Sequence, residues 1–328
     1  MAQDLNRRQF IKGSLLASAT GALAAGVGAG KAAAEDAPKP PPAAANALPL
    51  GKIGKLQVSR VLLGGNLLSH YTHSRDLNYV YALAAHYNTE AKILETLAIA
   101  EQNGINTMSM HNPDLPMKLL MQHRKQGGKI QWIICPTANI DASMKDHEFQ
   151  VKVLVQDQGA DAIYIWGVRS DPLAASGQVG LIAKAVEAAK KLNVPCGVGC
   201  HDLKVVVECE KAQVPCDFYI KTFHHHNYPS APRPDQVKAP LSEVPGYWCS
   251  DPKGTAEFMK TVEKPWIAFK TMAAGAIPPE KAIKYCFENG ADHVLLGMFD
   301  FEIAHDAKVA KKALDDLKDA TRARAWRS

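Results

Sequence analysis

The run Asp217-Phe-Tyr-Ile-Lys-Thr-Phe-His-His-His-Asn-Tyr228 is β-forming through Phe223 and then breaks into three histidines and an amide. That is the profile of a parallel strand that delivers polar groups at its carboxyl end. Side chains alternate along a strand, so Tyr219, Lys221 and Phe223 share one face while Ile220, Thr222 and His224 share the other. A lysine in so apolar a run needs water or a partner, and the end of the strand offers a water-filled site. Further along, Trp266-Ile-Ala-Phe-Lys270-Thr-Met repeats the pattern and leads into Ala273-Ala-Gly-Ala-Ile-Pro-Pro.

Outward from this stretch the same unit recurs. From Leu50 onward, short apolar runs alternate with amphipathic helical stretches. The strand candidates are Arg60 to Leu63, Thr107 to Met110, Gln131 to Cys135, Ala162 to Trp166, Cys196 to Gly199, Phe218 to Phe223, Ile267 to Met272 and His293 to Leu296. Ala91 to Asn103 and Gly180 to Leu192 are the clearest helical periods between them. The pattern predicts an α/β fold of the closed (β/α)8 type, a TIM barrel, across residues 48–328. A doubly wound open sheet is disfavoured because no Gly-x-Gly-x-x-Gly turn follows the first strand.

The amino-terminal part is of another kind. Asn6-Arg7-Arg8-Gln9-Phe10-Ile11-Lys12, the apolar run Leu15 to Ala29 and the small-residue end Ala32-Ala33-Ala34 together resemble a twin-arginine signal peptide, here residues 1–34. The resemblance implies a translocase partner, passage in the folded state and a periplasmic or secreted location. The apolar run is short of a spanning helix, so no stable membrane anchor is expected. Residues 35–47 are a Pro/Ala-rich linker. The chain carries a formal charge of +5, and removal of residues 1–34 leaves 34 basic against 32 acidic residues. No nucleic-acid or membrane surface is implied. The seven cysteines lack Cys-x-x-Cys spacing, and buried apolar thiols are expected in preference to a disulfide.

In this fold the active site lies at the carboxyl ends of the strands. The residues following each candidate strand are therefore a census of the site. Those ends carry His111, Arg169, His201, Lys221, His224, His225 and Lys270, and the long first loop carries His70, His73, Arg75 and Asp76. Convergence of His111, His201, His224 and His225 would form a divalent metal site for Zn, Mn, Fe or Co. Lys221 and Lys270, if adjacent, would each disfavour the other's charge and yield an amine that attacks carbonyls. Arg75 or Arg169 would hold a carboxylate, phosphate or sugar hydroxyl, and Trp248 would stack on a sugar face.

Two barrel families are resembled. Ile220-Lys221-Thr222 and Phe269-Lys270-Thr-Met-Ala-Ala-Gly275 are similar to the two lysine strands of deoxyribose-phosphate aldolase-type barrels. Leu50 to Gly65, Gly104-Ile-Asn106, Asp161-Ala-Ile-Tyr-Ile165 and Glu280 to Leu314 resemble the aldo/keto reductase scaffold, which implies an opening hairpin before the first barrel strand. The reductase catalytic set is not matched. Ser109 stands at its aspartate, Asp114 at its tyrosine, Pro136-Thr137 at its lysine and Trp166 at its histidine.

The expectation is an exported enzyme acting on a small carbonyl-bearing sugar or polyol by lyase or isomerase chemistry. Its catalytic residues would be Lys221, Lys270, His201 and His111. The alternatives are an NAD(P)H-dependent oxidoreductase with Tyr71 or His111 as relocated proton donor, and a non-catalytic carbohydrate-binding barrel.

Overall fold

The computed structural model describes residues 47–74, 77–233, 249–317 and 322–328. An antiparallel hairpin of β1 (Leu50–Ile53) and β2 (Leu56–Ser59) opens it. The parallel strands β3 (Val61–Gly64), β4 (Thr107–His111), β5 (Gln131–Cys135), β6 (Ala162–Ile165), β7 (Cys196–Cys200), β8 (Phe218–Thr222), β9 (Trp266–Phe269) and β10 (His293–Leu296) follow in chain order. β10 pairs with β3 to close the barrel. The expected (β/α)8 architecture and the opening hairpin are both present. Strand ends differ from the expected ranges by up to three residues, most at β9, where Lys270 leaves extended geometry.

The helices are α1 (Asn78–Tyr87), α2 (Glu90–Gln102), α3 (Asp114–Lys125), α4 (Lys145–Lys152), α5 (Gly167–Ala175), α6 (Val179–Lys190), α7 (Leu203–Lys211), α8 (Pro252–Met259), α9 (Pro279–Glu288) and α10 (Asp300–Asp316). Local chemistry sets their starts. Thr89 caps α2 by accepting the Lys92 N–H, and Asp202 caps α7 by accepting the Lys204 N–H. A π-helical turn, Val153–Asp157, extends α4.

Strand alternation sorts the core into two shells. Leu62, Ile133, Ala162, Phe218, Ile220 and Ile267 fill the lumen, with Ile53 and Val58 of the hairpin in the same cluster. Met108, Trp132, Ile163, Val198, Tyr219 and Trp266 face the helices. Gly197 makes room inside, since a Cβ there would lie 2.4 Å from the Phe218 ring.

At the end of the barrel where the strands begin, residues 322–328 are tied to Arg60, Asp292 and His293. Arg324 is paired with Asp292 at 2.6 Å, both side chains fully buried. Arg60 donates to the main-chain oxygen of Ser328, and His293 bridges the Ser59 carbonyl and the Ser328 hydroxyl. All seven cysteines are free and buried, as expected for apolar thiols.

Candidate functional site

A cavity of about 400 Å³ opens at the carboxyl ends of the barrel strands. The first-loop residues Tyr71 and His73, the strand-end residues Ser109, His111, Trp166 and His201, and Lys270 with Thr271 all line it. Small residues create the space. Gly199 is one: a Cβ there would approach the Tyr164 ring to 2.9 Å.

Its best-defined polar feature is a buried acid–imidazole pair. Asp171, one turn into α5, lies 2.7 Å from His201 Nδ1. The same carboxylate accepts the main-chain N–H groups of His201 and Asp202. Three donors from one loop therefore fix the carboxylate, and the carboxylate fixes the ring with its proton on Nδ1. Asp202 in turn caps α7, so His201 is held on both sides of its own peptide. Asp171 was missed in the sequence because it lies inside a helix, away from any strand end. The run from Trp166 to Pro172 held the clue, a carboxylate one turn beyond the fourth strand.

Lys270 lines the same cavity from the turn after β9, where its φ is 55°. The Phe269 ring bridges the two polar groups, 5.6 Å from the His201 ring and 5.7 Å from Lys270 Nζ. His111 lies parallel to Trp166 at 6.2 Å and meets Tyr71 edge-on at 5.6 Å. Burial lowers its pKa below the usual histidine value, favouring the neutral ring. Two further groups had not been expected here. Ser109 and Thr271 line the cavity, and their hydroxyls are fully buried with no hydrogen-bond partner among the described residues.

Several expected site residues lie elsewhere. Lys221 shares a strand face with Tyr219, which packs against the helices, so it is turned away from the lumen and does not line the cavity. Its Nζ donates to the Thr222 carbonyl at 2.7 Å. The expected alternation is present, but the face that Lys221 shares with Tyr219 packs on the helices and not on the site. With Lys221 turned toward the helices and absent from the cavity lining, the two-lysine aldolase arrangement is not formed there.

The histidine run does not join His111 and His201 in a metal cluster. His224 donates from Nδ1 to the Lys270 carbonyl and accepts the Cys249 N–H at Nε2, so both ring nitrogens are engaged by main chain. Burial lowers its pKa to about 3, with the neighbouring His226 adding to the shift. His226 donates to the Cys249 carbonyl, and His225 accepts the Asn227 N–H. The run is a clamp that ties Cys249 to the end of β8. Among the described residues no group of three or more His, Cys, Asp or Glu is arranged to hold a metal ion.

His70 contacts the Asn88 carbonyl at 2.8 Å and does not line the cavity, whereas His73 does. Arg169 lines a neighbouring cavity and donates to the Thr137 carbonyl. Arg75, Asp76 and Trp248 lie outside the described residues.

Residues 4–24 match the twin-arginine translocation pathway signal sequence. No curated protein sequence matches the chain. The fold is similar to that of Gox0644 in its apo form, with 13% identity, a TM-score of 0.50 and coverage of 85% of this chain and 96% of that chain. A Gox0644 point mutant in complex with NADPH gives 13% identity, a TM-score of 0.51 and coverage of 86% and 98%. A truncated 3-deoxy-D-arabino-heptulosonate 7-phosphate synthase from Thermotoga maritima gives 10% identity, a TM-score of 0.49 and coverage of 82% and 93%. At such identities the likeness concerns the fold alone. This chain is an exported (β/α)8 barrel. No helix among its described residues is long and apolar enough to cross a membrane.

Proposed function

We propose that the barrel mouth is an active site for proton transfer on a small carbonyl-bearing polyol, of the isomerase or lyase type. The observation that carries this is the buried Asp171–His201 pair in a cavity shared with Lys270. With Nδ1 held by Asp171, Nε2 is the nitrogen that exchanges a proton, here with the carbon beside the substrate carbonyl. The Lys270 ammonium offsets charge developing on the carbonyl oxygen. Ser109 and Thr271 supply hydroxyls to a substrate rich in hydroxyls, and such contacts satisfy groups that are otherwise costly to bury.

The test is exchange of the carbonyl-adjacent proton in D2O, followed by proton NMR over aldoses and ketoses of three to six carbons. The expected result is enzyme-dependent exchange that falls on the order of a hundredfold in His201→Ala. Absence of exchange across the whole series overturns the proposal.

A second reading, hydride transfer from NAD(P)H, draws support from the contact of Tyr71 with His111, which would place a proton donor in the cavity. The segment Gly297 to Glu302 after β10 bears Asp300 and Glu302 and no arginine or lysine, a poor match for a dinucleotide phosphate. Fluorescence titration with NADPH separates the two readings, because the first expects no binding.

A further inference from the structure

Beside the mouth lies a second cavity, of about 560 Å³, between the segments that follow β4, β5 and β6 and the helical stretch running from α4 into the π-helical turn. The two cavities are lined by neighbouring residues of the same strand ends. His111 lines the mouth and Asn112 the side cavity, while Trp166 lines the mouth and Arg169, its guanidinium 6.0 Å from the Trp166 ring, lines the side cavity.

The side cavity is lined by planar polar groups: Asn112, Asn139, Asp146, Gln150, Gln158 and Arg169. Some of their capacity serves the fold. Asn112 accepts the Thr137 N–H, Gln150 accepts the Ala138 N–H, and Arg169 Nη2 donates to the Thr137 carbonyl. Two atoms remain buried and without a partner among the described residues, the donor Arg169 Nε and the acceptor Gln158 Oε1. An unpaired donor and acceptor on residues that line one cavity are costly to bury, and a ligand toward which these side chains turn, able both to donate and to accept, removes that cost.

Charge narrows the ligand class. One guanidinium is set against two carboxylates, Asp114 and Asp146, so an anion meets repulsion from the acids and a cation from the arginine. A neutral polyol fits, since each hydroxyl both donates and accepts and amide, carboxylate and guanidinium groups bracket neighbouring hydroxyls. Phe149, 70% exposed, adds an aromatic face at the rim. The π-helical turn supplies Val153 and Leu154 to the same wall, and such turns recur at functional sites.

We propose that the side cavity is a second sugar subsite, so that the substrate spans at least two units, with its reacting unit at His201 and a neutral neighbouring unit beside Arg169. This rests on the mouth being the active site, and the experiment keeps the two apart.

Saturation-transfer NMR on the signal-cleaved protein would use glucose, maltose, cellobiose and sucrose as probes. At least one disaccharide is expected to bind on the order of tenfold more tightly than glucose. The double variant Asn139→Ala, Gln158→Ala, which removes one exposed amide and one half-buried amide, is expected to lose that tenfold while melting normally. Failure of every disaccharide to bind, or equal disaccharide affinity in the double variant, overturns the subsite. If disaccharide binding behaves as expected but His201→Ala leaves proton exchange unchanged, the subsite stands and the active-site reading falls.

Discussion

The two ends of this barrel differ in how their central buried polar groups are satisfied. At the base, Asp292 accepts from the Arg324 guanidinium and from the main-chain N–H groups of Trp266 and Arg327, while His293 is bonded at both ring nitrogens. At the mouth, the Ser109 and Thr271 hydroxyls are buried with no partner among the described residues, in residues that line the same cavity as a histidine oriented by a carboxylate. Groups that satisfy one another stabilise the fold and have little left for a ligand. Groups held in place but left unsatisfied carry a cost that a ligand can remove. On the proposed function, the base serves stability and the mouth serves chemistry.

The sharpest break in that contrast is Asp292→Ala. Removing one partner of a buried pair leaves an uncompensated guanidinium, and about 3–5 kcal/mol of stability should be lost in urea unfolding, with sugar exchange unchanged in the molecules still folded. The converse variant, Asp171→Asn, should lower turnover on the order of a hundredfold or more while moving the melting temperature far less than Asp292→Ala does. Equal stability losses in the two variants would erase the distinction between the ends.

Acid provides a third comparison, because each end holds a neutral buried histidine. Burial lowers the pKa of His293 to about 4, with Arg60 adding to the shift, and that of His224 to about 3. The unfolded chain takes up these protons near the ordinary histidine value of about 6.5, before the folded protein does. Stability from both groups is therefore complete above that value and falls as the pH drops toward 4 and then 3. Denaturant unfolding between pH 7 and pH 4 should show this slope, and it should be shallower in His224→Gln. The smallest effect is expected at Thr271→Val, which removes a hydroxyl from the mouth. Sugar binding should weaken about tenfold with stability unchanged or slightly raised, since an unsatisfied polar atom has been deleted.

The barrel itself was legible because eight apolar runs separated by 3.6-periodic stretches admit few arrangements, and strand order follows chain order in this fold. His201, His111 and Lys270, expected from their positions near strand ends, and His73, expected from the long first loop, all line the mouth cavity. Lys221 was not placed correctly because the pattern gives which residues share a face but not which face meets the lumen, and Tyr219 settles that only by packing on the helices. The histidine clamp was illegible for another reason: Cys249 is distant in sequence, and its main-chain groups leave no mark in residue type. Asp171 lay hidden because its partner is one strand away.

The free, buried cysteines have a consequence for where this protein is made and where it works. Thiols such as Cys135, whose pKa is pushed up to about 12 by burial, are almost never thiolates and are shielded from oxidants. A chain that completes its packing in a reducing cytosol and only then crosses the membrane brings those sulfurs across already sealed. Its maturation calls for neither a disulfide oxidase nor an isomerase on the far side, and the oxidising exterior meets no accessible sulfur among these cysteines.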